Sequence, residues 1–168
     1  MNIGQRMVPA MERAQVKVAS GVPDNWLTPI IESLTVAESL VYAPAAREED
    51  ALGICLGAAL AGVRAVCLMQ NAGALNTGGT LATLGISYGV TVVMLVTDRE
   101  HLGDVTVAHF EKGRAFRPFL DALRIPYYEL TPDFDQRDQL TQAFQMAELG
   151  QRPVALLMTR SALEGRNA

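Results

Sequence analysis

What this chain lacks narrows it first. Its only cysteines, Cys55 and Cys67, stand in apolar surroundings with no C-x-x-C spacing. They read as buried free thiols of a protein in a reducing cytoplasm. Its only histidines, His101 and His109, have no cysteine or second histidine at metal-ligand spacing. Lysine occurs only at Lys17 and Lys112, and aromatic residues make up 6%. With a net charge of −4 and no basic block, nucleic-acid binding is excluded as a leading reading. No apolar run approaches the ~20 residues that cross a bilayer. Residues 1–17 carry mixed charge and lack the apolar centre of a signal peptide. There is no G-x-x-x-x-G-K-[ST] phosphate loop, no G-x-G-x-x-G after a strand and no G-x-S-x-G elbow.

What is present is apolar and alternating. Hydrophobic residues make up 49% of 168 residues, enough for one domain, spanning 1–168, with a real core. Short apolar runs at 16–22, 40–43, 64–70, 90–97, 127–130 and 153–159 predict six strands. Helices are predicted from Asp24 or Asn25 to 34, and over 47–62, 73–88, 113–123 and 136–149, with 98–111 read as a loop. Several strands are apolar throughout. The expected fold is therefore α/β, a doubly wound, mostly parallel six-stranded sheet with helices on both faces.

In such sheets ligands bind beyond the carboxyl ends of the strands. The segments expected there are also the most polar: Gly21-Val22-Pro23-Asp24-Asn25, Ala45-Ala46-Arg47-Glu48, Gln70-Asn71-Ala72-Gly73 and Thr97-Asp98-Arg99-Glu100-His101. The second opens a helix whose acids Glu48, Glu49 and Asp50 suit the positive helix end. The apolar, small-residue run behind them is expected to be buried on nearly every side. That suggests a carboxylate in a dry interface, with a tunable proton affinity.

The spacing is specific. Glu48 is followed by Asp50 and Ala51, with Gly57 nine residues after it; Met69-Gln70-Asn71-Ala72-Gly73 is followed by Asn76. Gly21-Val22-Pro23-Asp24 follows the first predicted strand, and Arg99, Gly103, His109 and Lys112-Gly113-Arg114 follow the fourth. In this order the chain resembles the pyrimidine-binding (PYR) domain of thiamine-diphosphate enzymes over about 16–159. More narrowly, it is similar to the alpha subunits of sulfopyruvate decarboxylases and to the matching half of phosphonopyruvate decarboxylases.

The resemblance implies a thiamine-diphosphate-dependent decarboxylase of a small 2-oxo acid, sulfopyruvate or phosphonopyruvate. Sulfopyruvate is favoured, with sulfoacetaldehyde and carbon dioxide as products; the reaction would serve coenzyme M synthesis or sulfonate breakdown. Glu48 would be catalytic, hydrogen-bonding the cofactor's aminopyrimidine ring nitrogen and favouring its imino tautomer. His109 would move a proton, with His101 as runner-up. Gln70, Asn71, Gly73 and Asn76 would line the cofactor. Pro23, Asp24 and Asn25 would face the substrate, Asp24 and Asn25 being alternatives. Arg47, Arg99 and Arg114 are candidates for the substrate's second anionic group.

The family's Gly-Asp-Gly metal motif is missing, its nearest approach being Gly103-Asp104-Val105. The resemblance therefore implies that magnesium and the diphosphate are held by a separate beta subunit, the active site forming between two chains. Self-association through the apolar faces of 47–62 and 73–88 is also expected.

Overall fold

A computed structural model describes residues 2–99 and 106–164 of the chain. Six parallel strands, β1 (Val18–Gly21), β2 (Val41–Pro44), β3 (Ala65–Gln70), β4 (Val93–Thr97), β5 (Tyr127–Glu129) and β6 (Val154–Met158), form one sheet in the order β2-β1-β3-β4-β6-β5. Every pairing is parallel. β4 and β6 are buried at every position, and β3 at all but Gln70, as expected of strands covered on both faces. The edges β2 and β5 hold the exposed positions.

Side-chain alternation along the central strands feeds two cores. Val66, Leu68, Val93, Leu95, Val154 and Leu156 face one core, with Met7 and Met11 of α1 (Ile3–Arg13), Ile30 and Leu34 of α2 (Thr28–Thr35) and Phe144 of α7 (Gln139–Gly150). Cys67, Met69, Met94, Val96 and Leu157 face the other, with Leu52 and Leu56 of α3 (Glu48–Leu60) and Phe116 and Leu120 of α6 (Val107–Ala122). The strand order reverses at β1. The helix after β1 covers one face and the helix after β2 the other, so the loops after β1 and β3 part and leave a crevice at the carboxyl ends.

Several helices depart from the sequence reading. α1 was not foreseen; Asn2 caps it with a reciprocal Asn2–Gln5 capping box. A short α8 (Arg160–Glu164) follows β6. α2 begins later than read, capped by neither Asp24 nor Asn25 but entered at Leu27. The Asp24 carbonyl accepts the Leu27 and Thr28 amides, so the turn precedes the helix. The segment 73–88 is not one helix. It breaks into α4 (Asn71–Ala74), a 3-10 turn (Leu75–Thr77), α5 (Gly78–Thr80) and a π-helical stretch (Leu81–Ser87), around the weak helix formers Gly78 and Gly79. The segment read as a loop over 98–111 is helical from Val107 onward.

α3 carries the acidic segment. Arg47 precedes it in extended conformation, and Glu48, Glu49 and Asp50 occupy its first turn. Ala51, Leu52, Cys55 and Leu56 form its buried face. Contrary to the expectation of burial on nearly every side, Gly53, Ile54, Gly57 and Leu60 are exposed. Tyr88, after the π-helical stretch, is exposed too. Among the described residues no helix is long and apolar enough to cross a membrane.

Gly62 ends α3. Its φ is +78°, its amide donates to Ala59, and the next amide, of Val63, donates to Ala58 at 2.9 Å. This double bond pattern satisfies the last carbonyls and requires a left-handed residue. Gly62→Ala keeps the fold but destabilises it by about 1 kcal/mol, read as a lower urea midpoint at unchanged slope.

Candidate active site

The rim has two poles. The first is the start of α3. Glu48, its first residue, is half-buried and lies over Gly73 of α4. A β-carbon on Gly73 would stand 2.6 Å from Glu48 Cγ and closer still to Cδ and Oε1. Only hydrogen fits beneath the carboxyl. Below them Cys67 is fully buried. Burial pushes its thiol well above the ordinary range, reinforced by contact with Cys55 and by the charge of Glu48. Glu49 and Asp50 are not in this cradle. Asp50 pairs with Arg47 at 3.0 Å on the surface, and that bond holds its carboxyl below the usual range.

The second pole is the crevice between the loops after β1, β3 and β4. Asp24 turns inward, and Asn25 is exposed. Both Asp24 oxygens accept from Arg99 Nη2, at 3.0 and 2.9 Å. The Trp26 amide donates to Oδ1 at 2.9 Å, and Gln70 Nε2 to Oδ2 at 3.3 Å. Gln70 Nε2 also lies 3.3 Å from His109 Nε2. Arg99, 8% exposed, is covered by the Trp26 ring, whose centroid is 3.8 Å from the guanidinium carbon. A buried arginine needs such a carboxylate, and its planar head suits stacking on an indole.

Between the poles Asn71 is fully buried. Its amide donates to the Arg99 carbonyl at 3.2 Å and, at a long 3.5 Å, to Asp98. Arg117 of α6 donates to Asp98 at 2.7 Å and to Glu129 at 2.9 Å. Among the described residues, three buried polar atoms of this region have no hydrogen-bond partner: Asn71 Oδ1, Thr97 Oγ1 and Arg99 Nε.

The fold thus brings Glu48 together with Gly73, and Asp24 with Gln70, Arg99 and His109. It does not bring Arg47 into the crevice. Arg114 is exposed on α6, its guanidinium 5.5 Å from the Phe110 ring centroid. Pro23 and Asn76 are exposed at the rim. Glu100, His101 and Gly103 lie outside the described residues. The sequence reading missed Trp26 and Arg117 as members of the rim network, and it placed Thr97 and Asp98 on the rim without naming them as site residues. One signal was available for Trp26, the chain's only tryptophan, two residues beyond Asp24.

The cradle predicts a measurable coupling. Gly73→Ala alone costs about 1–3 kcal/mol from overpacking. In a Glu48→Ala background most of that cost disappears, a coupling that urea denaturation of the four proteins measures. Equal costs in both backgrounds would show that the carboxyl is not what Gly73 accommodates.

Comparison with known proteins bears on the family and the fold. The family model described as thiamine pyrophosphate enzyme, N-terminal TPP binding domain, matches residues 1–123. Sulfopyruvate decarboxylase subunit alpha of Methanothermobacter thermautotrophicus is 28% identical over 148 residues, covering 88% of this chain and 90% of that protein. The subunit of the same name from Methanocaldococcus jannaschii is 30% identical over 120 residues, 71% of each chain. That of Methanococcus maripaludis is 26% identical over 159 residues, 94% of this chain and 95% of its own. Among solved structures, benzoylformate decarboxylase from Polynucleobacter necessarius superposes with a TM-score of 0.72 at 18% identity. The match takes in 97% of this chain but 31% of that one, and at this identity it speaks for the fold alone. With nearly three quarters of its length matched by the family model and the six-stranded parallel sheet in place, the chain belongs to the thiamine pyrophosphate enzymes and carries their N-terminal TPP-binding domain.

Proposed function

We propose that this chain, as a single pyrimidine-binding domain, is the alpha-type subunit of a thiamine-diphosphate-dependent 2-oxo acid decarboxylase. The favoured reaction takes 3-sulfopyruvate to sulfoacetaldehyde and carbon dioxide. The observation that carries the reading is the Glu48 carboxyl in its Gly73 cradle, at the start of α3 on the carboxyl rim of the sheet. The names of the three relatives support the choice of substrate.

The residues fit the cofactor. A half-buried carboxyl, backed by a glycine and flanked by a buried apolar core, offers one acid to one ring nitrogen. When bound, thiamine diphosphate supplies the carbon nucleophile and the electron sink for loss of carbon dioxide. Glu48 would hold the proton at the cofactor's pyrimidine ring nitrogen. Gln70 and His109 would border the reacting end of the substrate. Of the three candidate arginines, only Arg99 is in the crevice, and its Nε lacks a partner among the described residues. Arg99 is therefore the candidate for the substrate's anionic group, reached if the Trp26 ring moves aside.

In this reading the diphosphate and magnesium are held by a separate beta subunit. The exposed Leu60 and Tyr88 supply apolar surface for that partner or for a second copy of this chain. The buried thiols Cys55 and Cys67 support a cytoplasmic, reducing setting.

Co-expression with a beta-type subunit bearing the Gly-Asp-Gly motif tests the proposal. With thiamine diphosphate and magnesium, the complex decarboxylates sulfopyruvate and this chain alone does not. Glu48→Gln lowers turnover by roughly 10²–10⁴, while size-exclusion chromatography still finds the complex assembled. Undiminished turnover by an assembled Glu48→Gln complex overturns the catalytic assignment.

A further inference from the structure

Gln70 sits between an acceptor of fixed character and a ring whose character is open. The Asp24 carboxylate receives Arg99 on both oxygens and the Trp26 amide on one. It can only accept. The side-chain atom of Gln70 that faces it at 3.3 Å must therefore be the amide nitrogen, because the amide oxygen would confront a carboxylate oxygen. The carboxylate decides the orientation of this amide.

The same nitrogen lies 3.3 Å from His109 Nε2. An amide nitrogen carries two hydrogens and accepts none. One hydrogen goes to Asp24 and the other points at the imidazole. His109 Nε2 must then present a lone pair, and the ring proton resides on Nδ1.

We propose that Asp24, acting through Gln70, fixes His109 as the Nδ1–H tautomer with an unprotonated Nε2. Asp24 and Gln70 are in this sense positioning residues, and Arg99 with Trp26 holds Asp24 in place for the task. A proton arriving at Nε2 has to displace the Gln70 N–H, because two N–H groups then face each other. Turning the amide over does not relieve this, since its oxygen would meet Asp24. Resting on the decarboxylase reading, the mechanistic consequence is a direction. His109 begins as a proton acceptor at Nε2, becomes doubly protonated, and only then returns a proton.

The tautomer is directly observable. Two-bond proton–nitrogen correlation spectra of the full chain, labelled with ¹⁵N-histidine, report the protonation of each ring nitrogen. The chain has two histidines, and His101→Gln assigns the signals. The spectra are taken about two units above the ordinary histidine pKa of ~6.5, so that neutral rings are compared. The expected wild-type spectrum shows Nδ1 pyrrole-like and Nε2 pyridine-like for His109. In Gln70→Leu no amide donor faces the ring, and the Nε2–H signature grows in. In Asp24→Asn the amide is released, and the Nε2–H signature grows in.

A pyrrole-like Nε2 in the wild-type chain overturns the proposal outright, with no variant needed. So does an unchanged Nδ1–H spectrum in a folded Gln70→Leu chain. The measurement uses no cofactor, partner or substrate. An inactive complex would therefore sink the decarboxylase reading and leave the tautomer standing, while a wrong tautomer would do the reverse.

Discussion

Burial of a parallel sheet on both faces is the constraint from which the rest follows. β4 and β6 present no exposed side chain, and β3 presents only a half-buried Gln70 at its end. Polar chemistry has no place along such strands, because an unpaired polar group in either core is costly. It is displaced to the strand ends. At the carboxyl ends of β1, β3 and β4 the chain sets Asp24, Gln70, Asp98 and Arg99. The reversal of strand order beside β1 keeps the loops from closing over them. The crevice is thus a consequence of topology, and the sequence has only to furnish it.

The furnishing is electrostatic at one pole and steric at the other. Arg99 and Asp24 are both largely buried, with side-chain exposures of 9% and 15%. Pairs of this kind add little net stability, because desolvation offsets their attraction. Their value lies in what they orient. Asp24 has an oxygen to spare for Gln70 only because Arg99 and the Trp26 ring keep the carboxylate from turning outward. At the other pole no ion pair is needed. Glu48 is held by shape, since Gly73 leaves its carboxyl a seat that any larger residue would fill.

The parts legible in the sequence were those set by local pattern. Unbroken apolar runs at β3, β4 and β6 have no alternative to a doubly covered strand, and they gave the fold class. Glu48, Gln70 and Asp24 stood out because motif spacing placed them at strand ends. α1 was readable in principle: Ile3, Met7, Ala10 and Met11 form a helical stripe, obscured by Pro9 and by the mixed charge around it. The start of α6 was not readable, since Val107 and Phe110 are exposed and break the expected apolar period. The division of 73–88 was hidden for a different reason. π-helical turns depend on what packs around them more than on propensity. Inside the crevice, the inward turn of Asp24 was invisible because its partner Arg99 lies 75 residues away. The role of Gly73 was equally hidden, because it depends on a side chain 25 positions earlier that arrives from another helix.

The two poles meet at the corner where β3 becomes α4. Gln70, the last residue of the strand, serves the Asp24–His109 pole; Gly73, three residues on, seats Glu48. Asn71 lies between them, buried, its amide on the Arg99 carbonyl. One short helical turn, anchored at Asn71, thus joins the two poles. α6 closes the arrangement from the far side, offering His109 to the corner at one end and Arg117 to Asp98 two turns later. In the proposed enzyme the acid that would serve the cofactor and the base that would serve the substrate are therefore both seated against one four-residue segment, Gln70-Asn71-Ala72-Gly73.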